Sequence, residues 1–455
     1  MVDFPVAQHV FAAAIAILAG AGPVGAAGDG PELPAAADPA TAAPSAAKRI
    51  YASALPRLLQ LRTLVGGGEP PSSTGSGFLV TADGLAITNY HVVSQVALEP
   101  SIYRLQYIAA DGNRGDAALL AIDIANDLAV VRVDRHDAPF FAFDQTAIAG
   151  GLPRGERLYS MGNPLNLGFT INDGIYNGPV ERSYTERLHF AGALNPGMSG
   201  GPTVTADGLV AGVNVAKRTG DAELVSFLVP ARFAAALLQR VREDPVPPQD
   251  FRAEIGRQLK AAQASLYQAF ADGGFGAVAF GPYRAPEAGA PWFTCSAQTN
   301  AGAVPKPRVS IKSMNCRSDT GLFIASDLMT GAIQLTHSFV TTADLNPFQF
   351  AAALSRQSQT PMLGDILLLR RVKWQTTQHC HEDFVAAAVG RNHPPLRVAW
   401  CAQAYRDFDG LYDVTLTAIT EDHDTEALVS RLSLQAVGYD EAVALGKRFL
   451  EAVQK

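Results

Sequence analysis

Residues Asn195 to Val213 read NPGMSGGPTVTADGLVAGV, and the two halves of that run set the fold class. In the second half, Thr205-Ala206-Asp207-Gly208 is a tight-turn signal, and Leu209-Val210-Ala211-Gly212-Val213 reads as a short strand. In the first half, glycines flank Ser199 on both sides, so the backbone there can turn sharply. Such a turn aims successive N–H groups at one point, as an oxyanion requires, and the N–H groups of Gly197 and Ser199 are the expected donors. Taken alone, a Gly-rich serine segment fits an ordinary turn or linker equally well.

Upstream the same turn recurs as Thr81-Ala82-Asp83-Gly84, between Gly77-Phe78-Leu79-Val80 and Leu85-Ala86-Ile87-Thr88. From Leu58 onward short strands alternate with Gly, Asp-Gly and Asn-Pro turns, which predicts an all-β barrel or sandwich. Two segments add chemistry. Thr88-Asn89-Tyr90-His91-Val92-Val93 places a histidine at an expected strand end, where its imidazole can act as a base near neutral pH. In Asp123-Ile124-Ala125-Asn126-Asp127-Leu128, Asp127 is the last polar residue before a buried strand, so it can be held dry and oriented against a histidine. Singly, a lone histidine is more often structural, and the aspartate could simply start a strand. The spacing suits one barrel carrying His91 and Asp127 and a second carrying Ser199.

The chain order His, Asp, Ser is that of the chymotrypsin-like arrangement. Over about residues 50–233 the sequence resembles the Deg/HtrA-type serine endopeptidases of that clan. The resemblance rests on Gly75-Ser76-Gly77-Phe78, Thr88-Asn89-Tyr90-His91-Val92-Val93, Asn126-Asp127-Leu128-Ala129-Val130, Met161-Gly162-Asn163-Pro164 and Gly197-Met198-Ser199-Gly200-Gly201-Pro202. Met198 departs from it, standing where a polar residue is common. The resemblance implies two β-barrels with the active site in the cleft between them, His91, Asp127 and Ser199 as catalytic triad, and hydrolysis of peptide bonds. In this clan the residue six before the serine lies at the base of the specificity pocket. Here it is Ala193, beside Leu194, so no carboxylate is offered to a Lys or Arg side chain and small or medium aliphatic groups are expected. Val213-Asn214-Val215-Ala216 should form the pocket wall and pair with substrate backbone.

The chain has 455 residues, 48% hydrophobic and 17% charged, a globular composition with room for two or three domains. A formal net charge of -7 argues against nucleic acid as a partner, and Gly and Pro show no collagen period. Val10 to Gly20 form a short apolar core followed by Val24-Gly25-Ala26-Ala27, the order of a secretory signal, although Asp3 and His9 precede it and no Lys or Arg does. Residues 1–27 are therefore expected to be a signal peptide and 28–47 an Ala/Pro-rich flexible lead. No later apolar run reaches the length of a membrane span, which leaves no stable span after cleavage and an exported, periplasmic or secreted protein.

The peptidase domain is expected over 48–243, a Pro-rich linker over 244–250, and an α+β accessory region over 251–455. Cys295, Cys316, Cys380 and Cys401 all lie in that last part. Export makes two disulfides the default, and of three pairings the local ones, Cys295–Cys316 and Cys380–Cys401, are favoured. Arg308-Val309, Arg317 and Gly321-Leu322-Phe323 recur as Arg397-Val398, Arg406 and Gly410-Leu411-Tyr412, which suggests two similar β-rich units, each ending in a helix. His379-Cys380-His381-Glu382 invites a metal reading. Neighbours on a strand point to opposite faces, however, so a disulfide cysteine between exposed histidines is preferred and no metal or cofactor is expected.

The resulting expectation is a mainly β protein: a chymotrypsin-like double β-barrel, then an α+β region of two similar disulfide-bearing units. Its function would be exported serine endopeptidase acting on protein or peptide substrates, in quality control or processing, with a C-terminal binding region; a homo-oligomer is compatible with this. The alternatives are a catalytically silent binding protein on the same barrels, or a dedicated protease maturing one partner.

Overall fold

The structure is a computed structural model that describes residues 45–455 apart from 69, 218–224, 360–372 and 387–391. The expected signal peptide and nearly all of the Ala/Pro-rich lead lie outside the described residues. Helix α1 (Ala46–Ala54) begins where the Ser45 hydroxyl accepts the Lys48 N–H. Six strands follow: β1 (Leu58–Val65), β2 (Pro71–Leu79), β3 (Leu85–Thr88), β4 (Tyr103–Ala109), β5 (Arg114–Asp123) and β6 (Leu128–Val133). They close into a barrel in the order β1-β2-β3-β6-β5-β4, with helix α2 (Tyr90–Leu98) inserted between β3 and β4. The Thr81–Gly84 turn joins β2 to β3, with the Thr81 hydroxyl accepting the Leu85 N–H at 2.9 Å.

After the short helix α3 (Gln145–Ile148), a second barrel is built from β7 (Arg157–Gly162), β8 (Thr170–Pro179), β9 (Leu188–Ala191), β10 (Pro202–Val204), β11 (Val210–Lys217) and β12 (Ser226–Pro230). It closes as β10-β11-β12-β9-β8-β7. One apolar core joins the two barrels: Phe78, Ile87 and Val130 from the first pack with Met161, Val213 and Val229 from the second. Helix α4 (Ala231–Glu243) seals this core with Ala234, Leu237, Leu238 and Val241. Burial of this continuous seam is what fixes one barrel on the other.

The Pro-rich stretch at 245–248 ends α4 and leads to α5 (Phe251–Gly273), whose first turn is capped by Asp250 accepting the Arg252 and Ala253 N–H groups. Ile255 and Leu259 on α5 enter the core of the first barrel, while Leu266, Tyr267 and Phe270 enter the core of the C-terminal sheet. The helix is thus a shared wall. Beyond it lie the hairpin β13 (Phe275–Phe280) and β14 (Tyr283–Ala288), then β15 (Phe293–Thr299), β16 (Ser310–Ser318), the small hairpin β17 (Leu322–Ala325) and β18 (Leu328–Thr330), β19 (Ile333–Thr341), α6 (Pro347–Gln359), β20 (His379–Val385), β21 (Leu396–Ala404), β22 (Leu411–Thr420), β23 (Glu426–Gly438) and α7 (Tyr439–Glu451).

The two similar runs are halves of one seven-stranded sheet, ordered β15-β16-β19-β23-β22-β21-β20. They meet where β19 pairs with β23. Separate units would leave those two strands as bare edges, and pairing them buries both. The disulfides are Cys295–Cys316 and Cys380–Cys401, each between directly opposed residues of an antiparallel pair, one at either edge of the sheet.

Candidate active site

His91 lies in the first turn of α2, one step beyond the strand end where the sequence suggested it. The chain leaves β3 at Thr88, Asn89 is extended, and burial of Val92, Val93 and Ala97 under the barrel makes the following residues helical. Asp127 closes the β5–β6 loop with φ of +59°, a left-handed conformation that aspartate tolerates better than most residues. Its carbonyl accepts the Tyr90 N–H at 3.2 Å and the Asn89 side-chain amide at 2.7 Å. Its carboxylate then takes two bonds from one residue: Oδ1 accepts the His91 N–H at 2.9 Å, and Oδ2 lies 2.7 Å from His91 Nδ1. That contact assigns the proton to Nδ1 and leaves Nε2 as the available base. Burial alone would lower the His91 pKa; the Asp127 charge and its hydrogen bond outweigh it, and the net shift is upward. The imidazole remains reachable, with 29% of its side chain exposed against 14% for Asp127. Arg187, just ahead of β9, faces Asp127, Asp123 and Asp319; burial lowers its pKa and those carboxylates oppose the shift.

The Ser199 loop comes from the second barrel and is held against the first. Ser76 on β2 donates its N–H to the Ser199 carbonyl at 2.8 Å and its hydroxyl to the Gly197 carbonyl at 2.7 Å, and that hydroxyl accepts the Asn163 N–H at 2.9 Å. Gly200, at φ +83°, has no room for a side chain: a Cβ there would lie 2.3 Å from the Ser76 carbonyl and 2.4 Å from the Thr88 hydroxyl. The loop thus abuts the segment that leads into His91. Gly197 has φ +95°, and neither its N–H nor that of Ser199 donates to a protein group among the described residues. The Ser199 hydroxyl itself donates to the Val215 carbonyl at 3.2 Å.

The residues read as a specificity pocket divide. Ala193 is exposed, and its carbonyl accepts the Asn172 amide at 2.9 Å. Leu194 is buried among Leu158, Phe190, Met198 and Leu228, and Val213 is buried in the seam between the barrels. Asn214 is fully buried; its side chain accepts from the Ser160 and Thr203 hydroxyls and donates to the Met161 and Met198 carbonyls. Its carbonyl accepts the Gly200 N–H at 2.8 Å, so Asn214 pins the serine loop. Val215 sits at a bulge in the β11–β12 pairing. The Ala216 side chain lies outside the described residues.

A family model described as the trypsin-like peptidase domain matches residues 75–213, a stretch containing His91, Asp127 and Ser199. Residues 75–213 are a trypsin-like peptidase domain. The chain is 28% identical over 205 residues to a probable periplasmic serine endoprotease DegP-like of Chlamydia pneumoniae, covering 43% of this chain and 39% of that protein. It is 34% identical over 188 residues to the putative serine protease HhoB of Synechocystis, covering 38% and 42%. Among solved structures, a serine endoprotease from Yersinia pestis aligns with TM-score 0.39 at 23% identity, covering 45% of this chain and 70% of that one. The chain spans about two-fifths of the length of these curated relatives.

Sequence reasoning gave Ser76 and Asn163 no role, although both hold the serine loop, and did not foresee that Asn214 pins the same loop. It missed three supports from beyond the peptidase stretch. Gln258 on α5 grips the loop of Asp127, donating to the Ile122 carbonyl at 2.9 Å and accepting the Ile124 N–H at 3.0 Å. Arg252 donates to the Leu98 carbonyl at the end of α2, at 2.7 Å. Phe323 packs against His91. A polar stripe on a long helix and an apolar strand residue carry no local mark of such roles.

Proposed function

We propose that the protein is a serine endopeptidase in which Ser199 attacks a peptide carbonyl, His91 accepts its proton, and Asp127 orients His91 and stabilises its charged form. The observation that carries this reading is the doubly bonded Asp127–His91 pair, which leaves Nε2 free to serve as base. The N–H groups of Gly197 and Ser199 would stabilise the oxyanion, and the lack of a protein acceptor for either among the described residues supports that assignment. In this reading the Ser199 hydroxyl gives up its bond to the Val215 carbonyl and donates to His91 Nε2 instead. His91 then returns the proton to the leaving amine, and water releases the acyl group.

Protein or peptide substrates, an aliphatic preference at Ala193, export to the periplasm or beyond, a homo-oligomer, and service in quality control or processing complete the reading. Several relatives are named as probable periplasmic serine endoproteases, which supports its class and compartment. The bond from Ser199 to Val215 favours the catalytically silent alternative. Labelling with an organofluorophosphate decides between them: an adduct on Ser199, with casein cleavage lost in Ser199→Ala, fits the peptidase, and an unlabelled Ser199 fits the silent barrel.

A further inference from the structure

The small hairpin β17–β18 belongs to the C-terminal region, yet it is built into the first barrel. Leu322, Ile324, Ala325 and Leu328 are buried in the same core as Val92, Val93 and Ala97 of α2. The Tyr90 hydroxyl, itself buried, donates to the Ile324 carbonyl at 2.8 Å, which fixes the hairpin's height on α2. A bulge at Ile324 breaks the pairing between Phe323 and Ala325. Such an extra residue bends the strand and redirects its side chains. Here Phe323 is only partly buried while its neighbours on both sides are covered. Its ring stands edge-on to the His91 imidazole, centroids 5.9 Å apart and planes at 71°, and edge-on to Tyr90 at 6.2 Å. Across the hairpin, Met329 pairs with Phe323 and is 54% exposed.

We infer that Phe323 is a specificity-determining residue: with Met329 it walls a subsite beside His91 that takes an apolar side chain of the peptide substrate. The inference rests on the peptidase reading and adds to it that the cleft is completed from outside the trypsin-like stretch. A peptide whose carbonyl is presented to Ser199 must run past the imidazole, where the Phe323 ring stands with Met329 paired to it across the hairpin. Both groups are apolar, suited to a Leu, Met or aromatic side chain and giving nothing to an Asp or Lys. Fixing the wall through a short hairpin buried in the barrel core gives it the rigidity that a subsite needs.

The test uses the full chain carrying Ser199→Ala, so that binding is read without hydrolysis, and a set of decapeptides of alanine with a single leucine moved along the sequence. One leucine position should bind about tenfold tighter than the all-alanine peptide because of this wall, within the range that a small apolar group contributes in a pocket. Adding Phe323→Ala should erase the advantage of that one position, leave the leucine advantage at other positions, and be reversed by Phe323→Leu. An equal loss at every position would mean that Phe323 only supports the fold, and an unchanged profile would mean that it touches no substrate; either result overturns the inference. Failure of the peptidase reading appears elsewhere, as an unlabelled Ser199 in the unmutated protein.

Discussion

Gln258 accepts the Ile124 N–H at 3.0 Å while the other end of its amide donates to the Ile122 carbonyl, so a helix outside the trypsin-like stretch holds the loop that presents Asp127. Ile122 and Ile124 are both buried, so water does not replace these bonds freely. Gln258→Leu should therefore destabilise the protein by about 2 kcal/mol, the usual effect of orphaning buried backbone groups. Peptide hydrolysis should fall in kcat more than it rises in KM, because the aspartate is misplaced while the cleft remains. Urea unfolding and steady-state kinetics measure the two effects.

The His91 pKa is raised in the folded protein, with Asp127 overcoming the effect of burial. The protonated imidazole is the favoured form there. The pair thus adds stability in full below the ordinary histidine pKa, and loses it as pH rises through the elevated one. The proposed mechanism uses the neutral base, so hydrolysis should climb with pH to a midpoint above the ordinary histidine value. In Asp127→Asn burial acts alone: the His91 midpoint, followed by the ring proton resonances, should drop below that value, and kcat should fall by roughly ten-thousandfold.

His337 behaves in the opposite sense. It is fully buried on β19, its Nδ1 lies 3.0 Å from the Ser430 hydroxyl, and its ring stacks on Phe449. Burial pushes its pKa from 6.5 down to about 4. The neutral ring is favoured by folding, so its stabilisation is complete above 6.5 and is lost as pH falls toward 4, roughly 3 kcal/mol over that interval. His337→Leu should flatten the dependence of the urea midpoint on pH between 7 and 4. A curve as steep as that of the unmutated protein would contradict the assignment.

Reduction should act at the edges of the C-terminal sheet. Both disulfides staple an outer strand to its neighbour across a sequence separation of 21 residues, a loop size associated with about 3 kcal/mol in the chain-entropy model. The supports of His91 and Asp127 rest on buried apolar contacts and hydrogen bonds instead. Mild reductant should raise amide exchange in β15 and β20 and leave hydrolysis within about twofold, because no cross-link touches those supports. Peptide mapping under non-reducing conditions checks the pairing, and hydrogen exchange locates the loosening.

The succession of short apolar strands and Asp-Gly turns determined the barrels, because strand-forming apolar runs and tight-turn chemistry are local properties of the chain. The glycines around Ser199 marked a sharp turn for the same reason, since the positive φ found at Gly197 and Gly200 is a backbone shape that few residues supply. The local cysteine spacing likewise gave the pairing found. What tertiary structure alone decided is how distant segments meet. Gln258, Arg252 and Phe323 act on residues more than a hundred positions away, and nothing in their own neighbourhoods records that. The two similar C-terminal runs have the pattern of independent units. They fuse into one sheet because β19 and β23 bury each other's open edges. The helical start at His91 also came from outside its own sequence, since Val92 and Val93 favour strands and only burial against the barrel and the β17–β18 hairpin makes them helical.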